Sequence, residues 1–260
     1  MVEREYLDQF QNWEVVRRLA KIPPARIEQL IKIHSRLLGF QENSDERNVI
    51  IDVGFEFRQE WQNQKSTVLK EDVPQMFDEV QECILRLLEI TEGEECSLEI
   101  LGRDPFKKAE GEYLRDIKLI KIYEEALSLP ANTYGVVAHE LGHHYVATIL
   151  HSPYGNFQIF EEGYAQGVAR ATQKSLSGKY QRPIFHKLAL VNTYENLITA
   201  RGIQKILPEI KSPESKLERF GLALYISRNR HSLGDLLFAH LEAERGPDIY
   251  RQILHGEFKW

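Results

Sequence analysis

A charged pentapeptide embedded in an apolar segment restricts this chain more than any other feature. His139-Glu140-Leu141-Gly142-His143 is preceded by Val136, Val137 and Ala138 and followed by Tyr145, Val146, Ala147, Ile149 and Leu150, with Thr133 as a candidate cap. This pattern predicts a helix over residues 133–150. Burying two imidazoles in such a helix is costly unless something pairs with them. Positions four apart lie about one turn apart on one face, so His139 and His143 aim two ring nitrogens at a common point. Glu140 is rotated about 100° to the side, which suits a base acting on water beside an ion. Among nine histidines the spacing can also arise by accident on a charged amphipathic helix. The apolar context argues against accident.

A third ligand must come from another element, and Glu162 stands 19 positions after His143. Seven residues carry the first helix about 10 Å beyond His143, and six residues from Asn156 to Glu162 retrace about 9 Å on an antiparallel helix. Between them His151-Ser152-Pro153-Tyr154-Gly155-Asn156 has the composition of a turn. Glu162 thereby returns to the level of His143. Its rival, Glu161, lies about 100° round the helix and lacks the following glycine, Gly163, that permits close backbone approach. Three protein ligands and one open position describe a single catalytic zinc ion, with Glu140 as general base in amide hydrolysis that needs no covalent intermediate. Gln166, one turn after Glu162, is either a hydrogen-bond partner of a ligand or a surface glutamine. A donor for developing negative charge is also expected, from among Tyr180, Tyr194, Tyr225 and His231. His144 points away from His143 and suits a surface or packing role rather than ligation.

Elsewhere, Tyr6, Phe10, Trp13, Val16 and Leu19 recur at helical spacing, as do Ile27, Leu30, Ile31, His34, Leu37 and Leu38 after Pro23-Pro24. Val49, Ile51, Val53, Phe55 and Phe57 alternate with Asn48, Ile50, Asp52, Gly54, Glu56 and Arg58, which predicts a strand with one buried face. Asp72 is a candidate cap for a helix whose apolar face runs from Val73 to Leu88, with Pro74 in its first turn. Leu98–Leu101 and Lys118–Tyr123 read as short strands, and the second is a candidate edge for an extended peptide, or else a core strand. Further helices are expected at about 157–174, 183–200 and 213–228, with a last apolar pattern from Leu233 and Asp235 as a candidate cap. The expected fold class is therefore α+β, mostly helical with a small sheet: a helix and strand extension over residues 1–70, which suits partner binding, and a zinc-binding domain over 71–260.

The net charge of −6, with acidic and basic side chains well mixed, predicts no nucleic-acid partner. The start lacks a signal-peptide pattern and no run approaches the roughly 18 apolar residues of a span, so no membrane association is expected. Two cysteines, Cys83 and Cys96, read as reduced thiols of a cytoplasmic protein.

The set His139, Glu140, His143 and Glu162 resembles the glutamate-type zinc peptidases, or gluzincins, the broad zincin-like group that contains thermolysin and the aminopeptidase N type. A closer resemblance is to the peptidase region of the plant LIM-domain, ubiquitin-activated "DA-one" family, which carries Leu-Pro before the histidine motif and Glu-Glu-Gly-x-x-Gln after it. Here these are Leu129-Pro130 and Glu161-Glu162-Gly163-Tyr164-Ala165-Gln166, joined in the tail by Gly234-Asp235, Gly246 and Gly256-Glu257-Phe258. The resemblance covers roughly residues 75–260. It implies an intracellular endopeptidase acting on a protein or peptide, and a ubiquitin-type activator for which the chain shows no segment. The family's LIM modules need many cysteines, and this chain has two. The alternatives are a regulatory protease with a single partner substrate and a non-catalytic zinc-containing binding module; retention of Glu140 beside an open position speaks against the module.

Overall fold

A computed structural model describes residues 15–41, 43–64, 68–91, 93–103, 109–149, 158–209 and 216–258. Within them the chain is mostly helical with one three-stranded sheet, consistent with an α+β class. The helices are α1 (Pro24–Leu37), α2 (Glu46–Gln64), α3 (Val73–Leu87), α4 (Pro130–Ile149), α5 (Gln158–Tyr180), α6 (Pro183–Gln204), α7 (Lys216–Arg245) and α8 (Ile249–Leu254). The strands are β1 (Ser97–Leu101), β2 (Gly111–Leu114) and β3 (Leu119–Tyr123). Expectations that fall on Tyr6, Phe10, Trp13 and the turn at 151–156 lie outside the described residues.

The expected strand at 49–58 is instead part of α2. Val49 and Val53, four apart, are buried, whereas Ile51 and Phe55 are 43% and 58% exposed. Alternating apolar positions always contain an i,i+4 pair, and here the pair Val49 and Val53 packs while Ile51 and Phe55 stand in solvent. The first strand-like segment is thus a helix lying against α6.

Two expected caps are also absent. A 3₁₀ turn at Lys70–Asp72 runs straight into α3, so Asp72 is already helical and its side chain makes no capping bond. Helix α4 begins at Pro130, which has no N–H to satisfy at that position. Thr133 therefore lies inside it, and its hydroxyl donates to the Ala126 and Leu129 carbonyls at 2.8 and 3.3 Å.

The sheet order is β1-β3-β2, with β1 parallel and β2 antiparallel to β3. Strand β3 is therefore central, not an edge, and buries Ile120 and Ile122 completely. Its burial on both sides reflects two partners, one of which, β2, the sequence pattern did not single out. The Glu110 carbonyl accepts from the Tyr123 N–H at 2.9 Å. The antiparallel alternation then turns the backbone groups of Gly111 and Tyr113 to the outer side of β2.

Helices α4, α5, α6 and α7 pack against one another beneath the sheet, with α1 laid on α6. Residues from Val15 to Leu254 share one apolar core. Two crossings are unusually close. A Cβ on Gly142 of α4 would meet the Ala165 Cα of α5 at 2.7 Å, and one on Gly163 of α5 would meet the Gly234 carbonyl oxygen of α7 at 2.4 Å. Only glycine allows such backbone approach, and both contacts flank the histidine and glutamate motifs. The break expected between 228 and 233 does not exist: α7 is continuous through Gly234, and Asp235 sits in its middle, fully buried, rather than at a cap.

Candidate metal centre

Helix α4 presents His139 and His143 with their Nε2 atoms 3.1 Å apart. From α5, Glu162 Oε2 lies 3.4 Å from His139 Nε2 and 3.5 Å from His143 Nε2. Metal–ligand bonds of about 2.0–2.2 Å in a tetrahedral set separate the donors by about 3.4 Å. The three measured edges match that spacing, and among the described residues this is the group of histidine, cysteine and carboxylate side chains whose donor atoms converge. Glu161 is not part of this group and pairs with Arg115 instead.

A second observation bears on the fit. Glu162 Oε2 is buried without a hydrogen-bond partner although three imidazole nitrogens stand within 3.5 Å, the third being His231 Nδ1 at 3.0 Å. The nitrogens are near enough to attract the carboxylate but are not aligned as hydrogen bonds to it. Burial pushes the Glu162 carboxyl upward, yet the surrounding histidines outweigh burial and hold it far below the usual carboxylate range. A buried anion ringed by nitrogens that do not bond it directly suits a cation between them. The donor set of two imidazoles and one carboxylate is that of open zinc sites. Glu162 Oε1 forms an ion pair with Arg230 Nε of α7 at 2.6 Å, not aligned as a hydrogen bond, and Oε2 faces the histidines.

Glu140 lies beside this cluster, buried against β2, where a Cβ on Gly111 would meet its Oε1 at 2.9 Å. Burial raises its carboxyl to about 7, with Glu162 and Glu112 adding to the rise and His139 and a hydrogen bond from the Tyr113 backbone N–H opposing it. A divalent charge at the cluster lowers that value further. Glu140, the three convergent residues and the outer side of β2 line one cavity of about 1030 Å³.

Gln166 lines the same cavity. Of the four candidate donors, His231 is the one that reaches it, its ring centroid 6.2 Å from that of His139. Tyr180 bonds Glu79, Tyr194 is buried in the core, and Tyr225 lies on α7 away from the cavity lining. His144 is fully buried, bonded to the Tyr113 hydroxyl at 3.1 Å and the Glu94 carbonyl at 3.0 Å, so of the surface and packing roles expected it takes the packing one. Sequence reasoning missed Arg230 and the Tyr113 backbone. Arg230 directly precedes His231, and that pair was the only available signal. The chain matches no protein-family model, no curated protein and no solved structure.

Proposed function

We propose that this chain is a zinc-dependent peptide hydrolase with a zincin-like catalytic domain, of endopeptidase type. The observation that carries the proposal is the convergence of His139 Nε2, His143 Nε2 and Glu162 Oε2 at tetrahedral spacing, next to a buried Glu140. When bound there, zinc supplies Lewis-acid chemistry, acidifying water and polarising a carbonyl. His139, His143 and Glu162 hold it, and Arg230 orients the Glu162 carboxylate.

Glu140 moves the proton. The Tyr113 N–H fixes its carboxylate, which takes a proton from water and returns it to the departing amine. The outer side of β2 offers Gly111 backbone groups to an extended peptide, which would bind as a fourth, antiparallel strand. His231 stands where it can donate to the developing oxyanion. The resemblance in Glu161-Glu162-Gly163-x-x-Gln166 agrees with this activity. The free thiols of Cys83 and Cys96 agree with a cytoplasmic setting. No helix among the described residues is long and apolar enough to cross a membrane.

The test is a proteome-wide cleavage assay of wild type against Glu140→Gln, with metal analysis of both. New amino termini should appear with wild type alone, at equal zinc content. Equal cleavage by both removes Glu140 from the chemistry, and a single cleaved protein identifies a dedicated regulatory protease.

A further inference from the structure

The polar core behind the centre holds a carboxylate that the proposed chemistry leaves unused. Asp235 of α7 is wholly buried. Its Oδ2 accepts a hydrogen bond from Asn196 Nδ2 at 2.7 Å, and Asn196 Oδ1 in turn accepts from the Ser232 hydroxyl at 3.1 Å. Its Oδ1 is 3.6 Å from an Arg170 nitrogen, beyond hydrogen-bond reach, and has no hydrogen-bond partner among the described residues. Arg170 is engaged elsewhere, donating to the Thr193 hydroxyl at 2.9 Å, the Tyr250 hydroxyl at 3.0 Å and Glu242 at 2.5 Å. It therefore supplies charge to Asp235 without occupying Oδ1.

His139 carries the complementary defect. Its Nε2 faces Glu162 and His143, while its Nδ1 is buried without a hydrogen-bond partner among the described residues. An imidazole that ligates through Nε2 keeps its proton on Nδ1 and in metal sites gives it to a carboxylate, carbonyl or water. Orphaned buried groups are few in folded proteins, so a buried donor and a buried acceptor that are both orphaned call for an explanation. His139 is also among the groups whose charge acts on Asp235. Asp235 follows His231 by one helical turn on α7, the His231 ring is 6.2 Å from that of His139, and Gly234, adjacent to Asp235, is where α7 touches α5. Full burial pushes the Asp235 carboxyl up, while Arg170, Asn196, His231 and His139 act in the opposite direction.

We propose that Asp235 is the positioning residue of His139, its Oδ1 accepting the Nδ1 proton when the ring is drawn onto a bound cation and so fixing the tautomer that aims Nε2 at the ion. Gln166 is the competing partner, since it lines the cavity one turn after Glu162. Its amide both donates and accepts, so it leaves the tautomer of His139 open, whereas a carboxylate only accepts. The hydrogen bond from Asn196 gives Asp235 a fixed direction that a cavity-lining glutamine lacks. This assignment rests on the metal-centre reading, and its test separates the two.

Zinc affinity is measured by competition with a chromogenic chelator for wild type, Asp235→Asn and Gln166→Ala, with the visible spectrum of each cobalt-loaded protein. Asp235→Asn keeps the shape but places a donor opposite a donor. Its zinc affinity should fall by about 10- to 100-fold with an altered cobalt spectrum, while Gln166→Ala stays near wild type. Wild-type affinity in Asp235→Asn, or the larger loss in Gln166→Ala, overturns the assignment and leaves the metal centre standing. Wild type that binds no zinc overturns the centre itself. If Asp235→Asn does not fold, nitrogen-labelled histidine spectra of zinc-loaded wild type decide. The His139 Nδ1 proton should be protected from exchange and remain so in Gln166→Ala; free exchange, or loss of protection in Gln166→Ala, contradicts the proposal.

Discussion

At the scale of single residues, the centre depends on the ordering of charge around Glu162. One carboxylate oxygen is taken by Arg230 at 2.6 Å and the other faces three imidazoles. Removing a ligand should therefore do more than delete one bond, because it also frees the remaining groups to pair with each other. Glu162→Ala and His139→Ala are expected to lower zinc affinity by more than the roughly 10- to 100-fold that loss of a supporting partner costs, read as metal content after dialysis. Wild-type stoichiometry in both variants would sink the ligand assignment. His139, Glu140, His143 and Glu162 were legible in the sequence because helical spacing relates the first three and a turn of fixed rise relates the fourth. Arg230, His231 and Asp235 come from α7, 91 to 96 residues beyond His139, and no local period ties a side chain on one helix to a ring on another.

At the scale of elements, the segments misread share a cause: their local pattern was satisfied by tertiary contacts that the pattern does not encode. Val49 to Phe57 is rich in β-branched and aromatic residues, yet it forms α2 because Val49 and Val53 find a core against α6. A helix over 213–228 and a separate pattern from Leu233 were expected, but Gly234 serves the α5 crossing inside one continuous helix. That crossing gives a direct prediction. Gly163→Ala puts a methyl 2.4 Å from the Gly234 oxygen and should cost about 1–3 kcal/mol by overpacking, with weakened zinc binding as Glu162 is displaced. Gly178→Ala, in open space near the end of the same helix, should instead gain up to about 1 kcal/mol. Urea unfolding of the metal-free proteins checks both; equal effects would contradict the packing account.

Helix α1 carries a pH-dependent element of its own. His34 is buried, donates from Nδ1 to the Leu30 carbonyl at 2.9 Å, and is held at about 4 by burial, with the Arg170 charge acting the same way. An ordinary imidazole titrates near 6.5, so between these limits the unfolded chain binds a proton that the native chain refuses. The associated stability is complete above pH 6.5, declines as pH falls, and levels off below about pH 4 after a loss of about 3 kcal/mol. In His34→Leu the drop in unfolding free energy between pH 7 and pH 5 should be smaller than in wild type by about 2 kcal/mol. Equal drops in the two proteins would mean that His34 is not buried as a neutral ring.

At the scale of the whole molecule, one continuous core supports a cavity whose floor is α4 and α5, whose one wall is the outer side of β2 and whose other is α7. The arrangement brings the outer side of β2, a buried base and three convergent donors to the same cavity, which is the reason to regard metal and hydrolysis as one function. The general class of mixed, mostly helical fold was legible from periodicity; the position of β2 was not, since its four residues carry no strong alternation and are defined by pairing with β3. The most direct measurement is a zinc titration of the metal-free protein, following hydrolysis of a cleavable peptide found for wild type. Activity should rise from zero and saturate at one zinc per chain, while Glu140→Gln binds the same single equivalent and stays inactive. Hydrolysis that is independent of added zinc, or undiminished in Glu140→Gln, would contradict a catalytic metal held by His139, His143 and Glu162.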